Sequence, residues 1–364
     1  MKAKVEAENI LVLNPGSTST KAAWFRGDRA LWEDEEEHSP AELGAFKALF
    51  DQLPWRCRAV EAMARRRGLD PFGADAVVGR GGLMKPVPSG VYAVNRAMLR
   101  DLRRSRRRWE MEHASNLGAE MALRFARPGG RPSFVVDPVT TDELEPLARL
   151  SGIPGARRQS LMHALNTKAV CRWAAAKAGK PLSRCRFVVA HLGGGASVTA
   201  VRGGRMVDTT SAICGQGPFT ATRAGSLPSR AVLDVAFRKG MDKDKAMRFL
   251  LTECGLKGYT GTDKLPEVEK RMRRGDAPAR LAFQGLAYQA SKEICGHAAV
   301  LQGRVDAVIL TGGMARDRAL AGLIRRRVGF LGKFLVLPGQ LETRALAQGA
   351  LRVLRGREKA KVYR

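Results

Sequence analysis

Asn14, Gly16, Ser17, Ser19 and Lys21 crowd into the segment NPGSTSTK (14–21), directly after the apolar run ILVL (10–13). A strand that breaks into a Gly/Ser turn aims successive backbone N–H groups and hydroxyls at one spot, which makes a cradle for an anion. The device recurs. FVVAHL (187–192) ends at His191 and Leu192 and runs into Gly193, Gly194, Gly195 and Ser197, and DAVILTGGM (306–314) runs into Gly312 and Gly313. Each turn taken alone reads more readily as a tight hairpin. Three of them, each closing an apolar strand, point to a nucleotide whose phosphates need several cradles.

The elements that must position these turns follow from periodicity. ILVL, DAVVG (75–79), FVVDP (134–138), FVVAHL and DAVIL read as short buried strands, with AAWF (22–25) and SVTAV (197–201) returning after the turns. Helical spacing covers 40–68 with Gly68 as the stop, 95–108, 113–126, 161–179 and the closing segment 341–356 with Gly356 at its end. The chain therefore starts twice on strand, glycine turn, strand. Alternating strands and helices predict an α/β protein of two related halves.

Composition limits the alternatives. In 364 residues, 45% are hydrophobic and 27% charged, enough for about two buried cores and not the balance of a disordered chain. Lys and Arg number 63 against 35 Asp and Glu, a net charge of +28 that attracts anionic partners without naming one. The cysteines at 57, 171, 185, 214, 254 and 295 contain no Cys-x-x-Cys pair, so a zinc ribbon is excluded and reduced thiols are expected. No apolar run is long enough for a membrane span, and no signal peptide is read at the N-terminus. The P-loop, dinucleotide, protein kinase, H-E-x-x-H and G-x-S-x-G signatures are absent. The arginine run within 100–108 reads as a solvated helix face. Nucleic-acid binding is the weaker reading, because stacking aromatics are scarce beside it, Trp109 alone being available.

NPGSTSTK (14–21), GRGG (79–82) and HLGGGASV (191–198), in that order, resemble the butyrate kinases of the acetate kinase group, within the acetate/sugar kinase–Hsp70–actin superfamily. HASNLG (113–118), VDPVTTDEL (136–144), HALN (163–166), the GPF, TRAG and LP blocks of 217–228 and LTGGM (310–314) carry the resemblance nearly end to end. It implies an α/β fold of two actin-like (ribonuclease H-like) domains flanking a nucleotide cleft, the first over 1–139 plus 343–364 and the second over 140–342. It also implies a cytoplasmic homodimer that moves the γ-phosphoryl of ATP, with Mg²⁺, to a short-chain or branched-chain carboxylate, giving an acyl phosphate and ADP. Such an acceptor is already deprotonated at neutral pH and needs no general base. The difficulty is joining two anions and stabilising the moving charge.

Residue by residue, the resemblance assigns Arg80, Arg223 and His113 to the carboxylate, and Arg80, Arg223, His191, Asp137 and Asn14 to catalysis. Ser17, Ser19, Lys21, Gly193–Gly195, Gly312 and Gly313 go to the nucleotide, and Asp137 and Glu342 to Mg²⁺. The plainer roles are a surface arginine for Arg80, packing for His163 and His191, capping for His113, an Asx turn for Asp137 and a helix N-terminal charge for Glu342. The chain departs from the family pattern at Gln216, Gln340 and Arg344, which stand where acids are usual. A nucleotide-binding relative with weak or lost catalysis, acting through its basic surface, is the competing class.

Overall fold

Asn9–Pro15 (β1), Ser19–Arg26 (β2) and Arg29–Glu37 (β3) form an antiparallel meander, with β1 and β2 apolar and buried almost throughout and β3 largely solvated. The computed structural model describes residues 7–212 and 216–364, so Cys214 lies outside the described residues. The chain divides into two units. One comprises Met1–Thr141, Ala164–Asn166 and Leu341–Arg364, and the other Asp142–His163 and Thr167–Gln340.

In the first unit, Ala76–Arg80 (β4) lies parallel to β1, Val91–Ala93 (β5) is an antiparallel edge, and Ser133–Val136 (β6) lies parallel to β4. The sheet order is Lys361–Val362, β5, β6, β4, β1, β2, β3. Helices Leu53–Arg65 and Gly118–Ala126 bury Met63 and Phe125 in one core with Leu11, Leu13 and Trp24. The glycines of GRGG turn out to serve packing. A Cβ on Gly79 would lie 2.0 Å from the Gly118 carbonyl oxygen, and one on Gly82 2.2 Å from Asn116 Oδ1. Both spacings are impossible for a larger residue.

In the second unit, Arg186–Leu192 (β7), Ala196–Arg202 (β8) and Arg205–Thr209 (β9) repeat the antiparallel meander. Ala307–Gly312 (β10) and Lys333–Pro338 (β11) add parallel strands, giving the order β11, β10, β7, β8, β9. This matches β6, β4, β1, β2, β3 strand for strand and direction for direction. Helix Ala277–Val300 lines the core with Phe283, Leu286 and Ile294 against Val188, Val198 and Leu310.

Several helices differ from their sequence expectation. The 40–68 stretch is Pro40–Gly44, a 3₁₀ turn Leu49–Gln52 and helix Leu53–Arg65. Pro54 has no N–H to donate and is tolerated only in a first turn, so a new helix begins there. Gly68 ends the stretch with φ of 66°. The 95–108 helix breaks at Arg104 into Arg96–Arg103 and Ser105–Trp109. The 113–126 helix opens as a 3₁₀ turn, Ala114–Leu117, and 161–179 shortens to Ala164–Lys177. The helices between 229 and 273, and the strands β3, β5, β9 and β11, were not legible from periodicity.

Candidate active site

The parallel strands β1 and β4 both end beside the start of helix Glu342–Leu354. Asn14 comes from β1, Arg80 from β4 and Glu342 from the first turn of the helix, where a carboxylate also answers the positive end of the helix dipole. Asn14 Nδ2 donates to Glu342 Oε2 at 2.9 Å, and Arg80 Nη1 donates to the same oxygen at 2.9 Å and to Asn14 Oδ1 at 3.4 Å. Asn14 and Glu342 are buried and Arg80 is partly exposed. The Leu341 N–H donates to Asn166 Oδ1 at 2.9 Å, fixing where this helix begins. The sequence reading put Arg80 on substrate and Glu342 on metal. The structure joins them as an ion pair, so Arg80 carries less net charge to a ligand than a lone guanidinium would.

The turn after β1 closes on itself, the Gly16 N–H donating to the Ser19 carbonyl at 2.8 Å. Among the described residues the Ser17 and Thr18 amides have no partner, which leaves them for an anion. Two expected cradle residues are engaged elsewhere. The Lys21 ammonium lies 2.9 Å from Glu35 on β3, and the Ser19 hydroxyl also serves that carboxylate. Burial pushes the Glu35 carboxyl up, but these two groups outweigh it and hold it below its ordinary range. His113 caps the 3₁₀ turn, its Nδ1 accepting from the Ser115 N–H at 3.1 Å, while its Nε2 lies 3.5 Å from Ser17 Oγ. It therefore serves as a cap and also borders the turn.

Asp137 is buried with φ of 38°, and its Oδ1 accepts from Ser89 Oγ at 2.6 Å and the Gly90 N–H at 2.8 Å. One carboxylate oxygen thus holds the turn that leads into β5. Among the described residues no cluster of three or more His, Cys, Asp or Glu could cage a metal. The donors that are present, the Glu342 carboxylate and the Asn14 carbonyl, are oxygens. That set suits Mg²⁺ in its usual mode, held by one or two carboxylates and by the phosphates of a substrate.

The second unit builds its turn differently. Gly193 N–H closes on the Gly195 carbonyl at 2.9 Å, and the Gly194 and Gly195 amides have no partner among the described residues. Beneath the turn, His191 is buried and stacks on His163, ring centroids 3.7 Å apart and planes 4° from parallel. His163 Nδ1 lies 2.9 Å from Ser197 Oγ. A Cβ on Gly193 would lie 3.6 Å from His191 Nε2, so the ring edge reaches the turn.

Arg223 lies alongside. Its Nη1 donates to the Ala212 carbonyl, and a Cβ on Gly195 would come within 2.7 Å of that nitrogen. Thr220, which sequence reasoning did not single out, ties the loop down: its hydroxyl donates to the Gly194 carbonyl at 2.8 Å and accepts from the Arg223 N–H at 3.1 Å. Arg223 also contributes to the wall of a cavity of about 290 Å³, otherwise lined largely by apolar groups that include Pro218, Leu227, Val232, Met247 and Leu250. Gln216 borders this cavity, with its Oε1 accepting from Arg158 Nε at 3.0 Å. At the third turn, Gly312 has φ of 91°, pairs with Gly339 through two 2.9 Å hydrogen bonds and leaves no room for a Cβ beside Leu192. A Cβ on Gly313, by contrast, would meet open space.

Two copies of one strand order, each with a glycine turn after its first strand, define an actin-like, ribonuclease H-like α/β protein. The Porphyromonas gingivalis acetate kinase crystal structure superposes with a TM-score of 0.77 at 19% identity, covering 96% of this chain and 100% of that one. Residues 154–336 match the model of the acetokinase family. A probable butyrate kinase of Coprothermobacter proteolyticus is 43% identical over 97% of this chain and 99% of its own length. One of Listeria innocua serovar 6a is 42% identical over 98% and 99%. The chain belongs to the acetokinase family.

Proposed function

We propose that the protein is a carboxylate kinase that transfers the γ-phosphoryl of ATP to a short-chain, butyrate-like carboxylate in a reversible in-line step. The observation that carries this reading is Arg223, anchored to the Ala212 carbonyl against Gly195 of the second turn and contributing to the wall of a largely apolar cavity. A guanidinium with apolar neighbours suits an acid with a short acyl tail, and one beside a glycine turn suits a phosphoryl group.

In this reading the backbone N–H groups of Ser17, Thr18, Gly194 and Gly195 donate to phosphate oxygens. Arg223 neutralises charge on the transferring group, and His191, steadied by its stack on His163, donates a hydrogen bond to it. Asn14 and Glu342 would hold Mg²⁺, which lowers the charge of the phosphate chain; Arg80 holds the Glu342 carboxylate in place. Asp137 orders the Ser89–Gly90 turn and is a weaker candidate for a metal-bound water. A homodimer and a cytoplasmic location come with the family resemblance. No described helix is long and apolar enough to cross a membrane.

The test is ADP formation from ATP and Mg²⁺ with acids of two to five carbons. We expect turnover with butyrate and its branched or five-carbon neighbours above that with acetate. Neighbouring chain lengths should differ by about 10–200-fold at most, since one methylene is worth ~1–3 kcal/mol. Nucleotide binding without turnover on any carboxylate would instead favour a non-catalytic relative.

A further inference from the structure

Arg56, on helix Leu53–Arg65, is fully buried and is the largest such side chain among the described residues. Its Nη1 donates to the Ser19 carbonyl at 2.8 Å and to Thr20 Oγ1 at 3.0 Å, and its Nε donates to Gln52 Oε1 at 3.0 Å. Its Nη2 has no partner, and no carboxylate lies within ion-pair distance, among the described residues. A buried charge without a counter-ion is costly, and Leu or Met would fill the same helix position at less cost. Burial alone brings this guanidinium down to about 10.

The surroundings deepen the anomaly. The Thr20 hydroxyl accepts from Arg56, so its own proton is free for His38 Nε2 at 2.7 Å. That bond suits a neutral imidazole, and burial followed by the Arg56 charge lowers the His38 pKa, with Glu42 opposing more weakly. Trp55 packs on His38 at 4.3 Å and lies 5.9 Å from the guanidinium carbon. No anion of the protein therefore answers Arg56 from these neighbours. Its strongest bond instead falls on the carbonyl that closes the first turn: Ser19 O accepts from both Arg56 and the Gly16 N–H.

We propose that Arg56 is a positioning residue of the first phosphate turn: it clamps the Ser19–Thr20 backbone from within the unit, and its unanswered charge draws the nucleotide's phosphate chain onto the Ser17 and Thr18 amides. This rests on the kinase reading above. The counter-ion of Arg56 is then the ligand, and the cost of burying the cation is offset when ATP or ADP binds.

The experiment compares Arg56→Met and Arg56→Lys with the unaltered protein, by titration with ADP and with inorganic pyrophosphate and by steady-state kinetics. Arg56→Met should weaken both ligands and raise KM for ATP on the order of 10-fold, as loss of a charge-assisted contact does, with KM for the carboxylate within about 2-fold. Arg56→Lys should recover part of that affinity, since the charge returns without the fork. A folded Arg56→Met of lower Tm with unchanged nucleotide affinity would overturn the proposal and leave Arg56 a core plug. If Arg56→Met does not fold, the Nε–H resonance of Arg56, assigned by its absence in Arg56→Lys, decides. A shift on saturation with pyrophosphate supports the proposal, and an unmoved resonance overturns it. If the unaltered protein binds neither ligand, the kinase reading itself falls and takes this inference with it.

Discussion

After β1 the chain turns through Gly16, Ser17 and Thr18, and after β7 through Gly193, Gly194 and Gly195. In both turns the first glycine N–H is consumed in closing the loop, and the next two amides are left without partners among the described residues. Each turn has an arginine and a histidine nearby, but these come from different elements and keep different partners. The first has the Asn14–Arg80–Glu342 cluster at its base and the unanswered Arg56 behind it. The second has stacked imidazoles below and Arg223 beside it. A repeated backbone device thus fixes where an anion is received, and the non-repeated side chains decide what is done to it.

The comparison breaks most sharply at Arg223. Arg223→Ala should lower kcat by ~10²-fold or more with little change in Tm, as loss of a preorganised donor to developing charge does. A near-normal kcat and kcat/KM would remove Arg223 from the mechanism and leave the second turn a binding element only.

At the first turn, Glu342→Gln keeps the shape and removes the charge that holds Arg80. We expect kcat to fall by about 10- to 100-fold, with a higher Mg²⁺ concentration needed for half-maximal rate, and a stability loss of roughly 1–3 kcal/mol from the weakened buried pair. An unchanged Mg²⁺ dependence would confine Glu342 to anchoring Arg80.

Two glycine replacements sharpen the contrast within the second turn. A Cβ on Gly195 would press on Arg223 Nη1 at 2.7 Å and the Ala212 carbonyl at 2.9 Å, whereas one on Gly194 would meet nothing of the protein. Gly195→Ala should therefore lower kcat by about 10-fold through the displaced guanidinium. Gly194→Ala should leave kcat and Tm nearly intact while raising KM for ATP, because the methyl occupies the space a phosphate needs. Identical kinetics for the two variants would refute this division of labour.

The smallest effect is a pH dependence of stability that involves His38 beside the first turn. Burial and then the Arg56 charge depress the His38 pKa beside the first turn, and burial depresses that of His297 on helix Ala277–Val300. Such groups bind fewer protons folded than unfolded, so stability is complete above the ordinary histidine value of about 6.5 and is lost as pH falls toward the depressed values. Denaturant unfolding between pH 7.5 and 5.5 should show this decline, and His38→Gln should flatten part of it. A decline of equal slope in that variant would assign the effect to His297 and other groups.

How far the sequence could be read is clear from particular residues. Asn14, Gly194 and Gly195 stand out in the sequence because each belongs to a short local pattern, a strand, a turn and its flanks, whereas Arg223 stands out only through the resemblance carried by its TRAG block. The Arg80–Glu342 pair was not, since its members stand 262 positions apart. Nor was the use of Ser19 and Lys21 by Glu35, which depends on the register of β2 against β3. Arg56 gave no signal at all. It falls in a stretch dense with charge, and only tertiary packing shows that this arginine alone among its neighbours is fully enclosed.

By itself, then, the amino-acid sequence determined the alternation of strands and helices, the duplicated strand–turn–strand start and the family to which the chain belongs. The first two rest on local rules, apolar period, glycine at turns and backbone donors at strand ends, and the third on the resemblance of the NPGSTSTK, GRGG and HLGGGASV blocks. The tertiary structure decided which charges meet. Arg80 is neutralised by Glu342, Lys21 by Glu35, and Arg56 by nothing among the described residues, although all three cations look alike in the sequence. Electrostatic partnership depends on distances of a few ångströms and on burial, and both are set by sheet order and helix packing rather than by position along the chain.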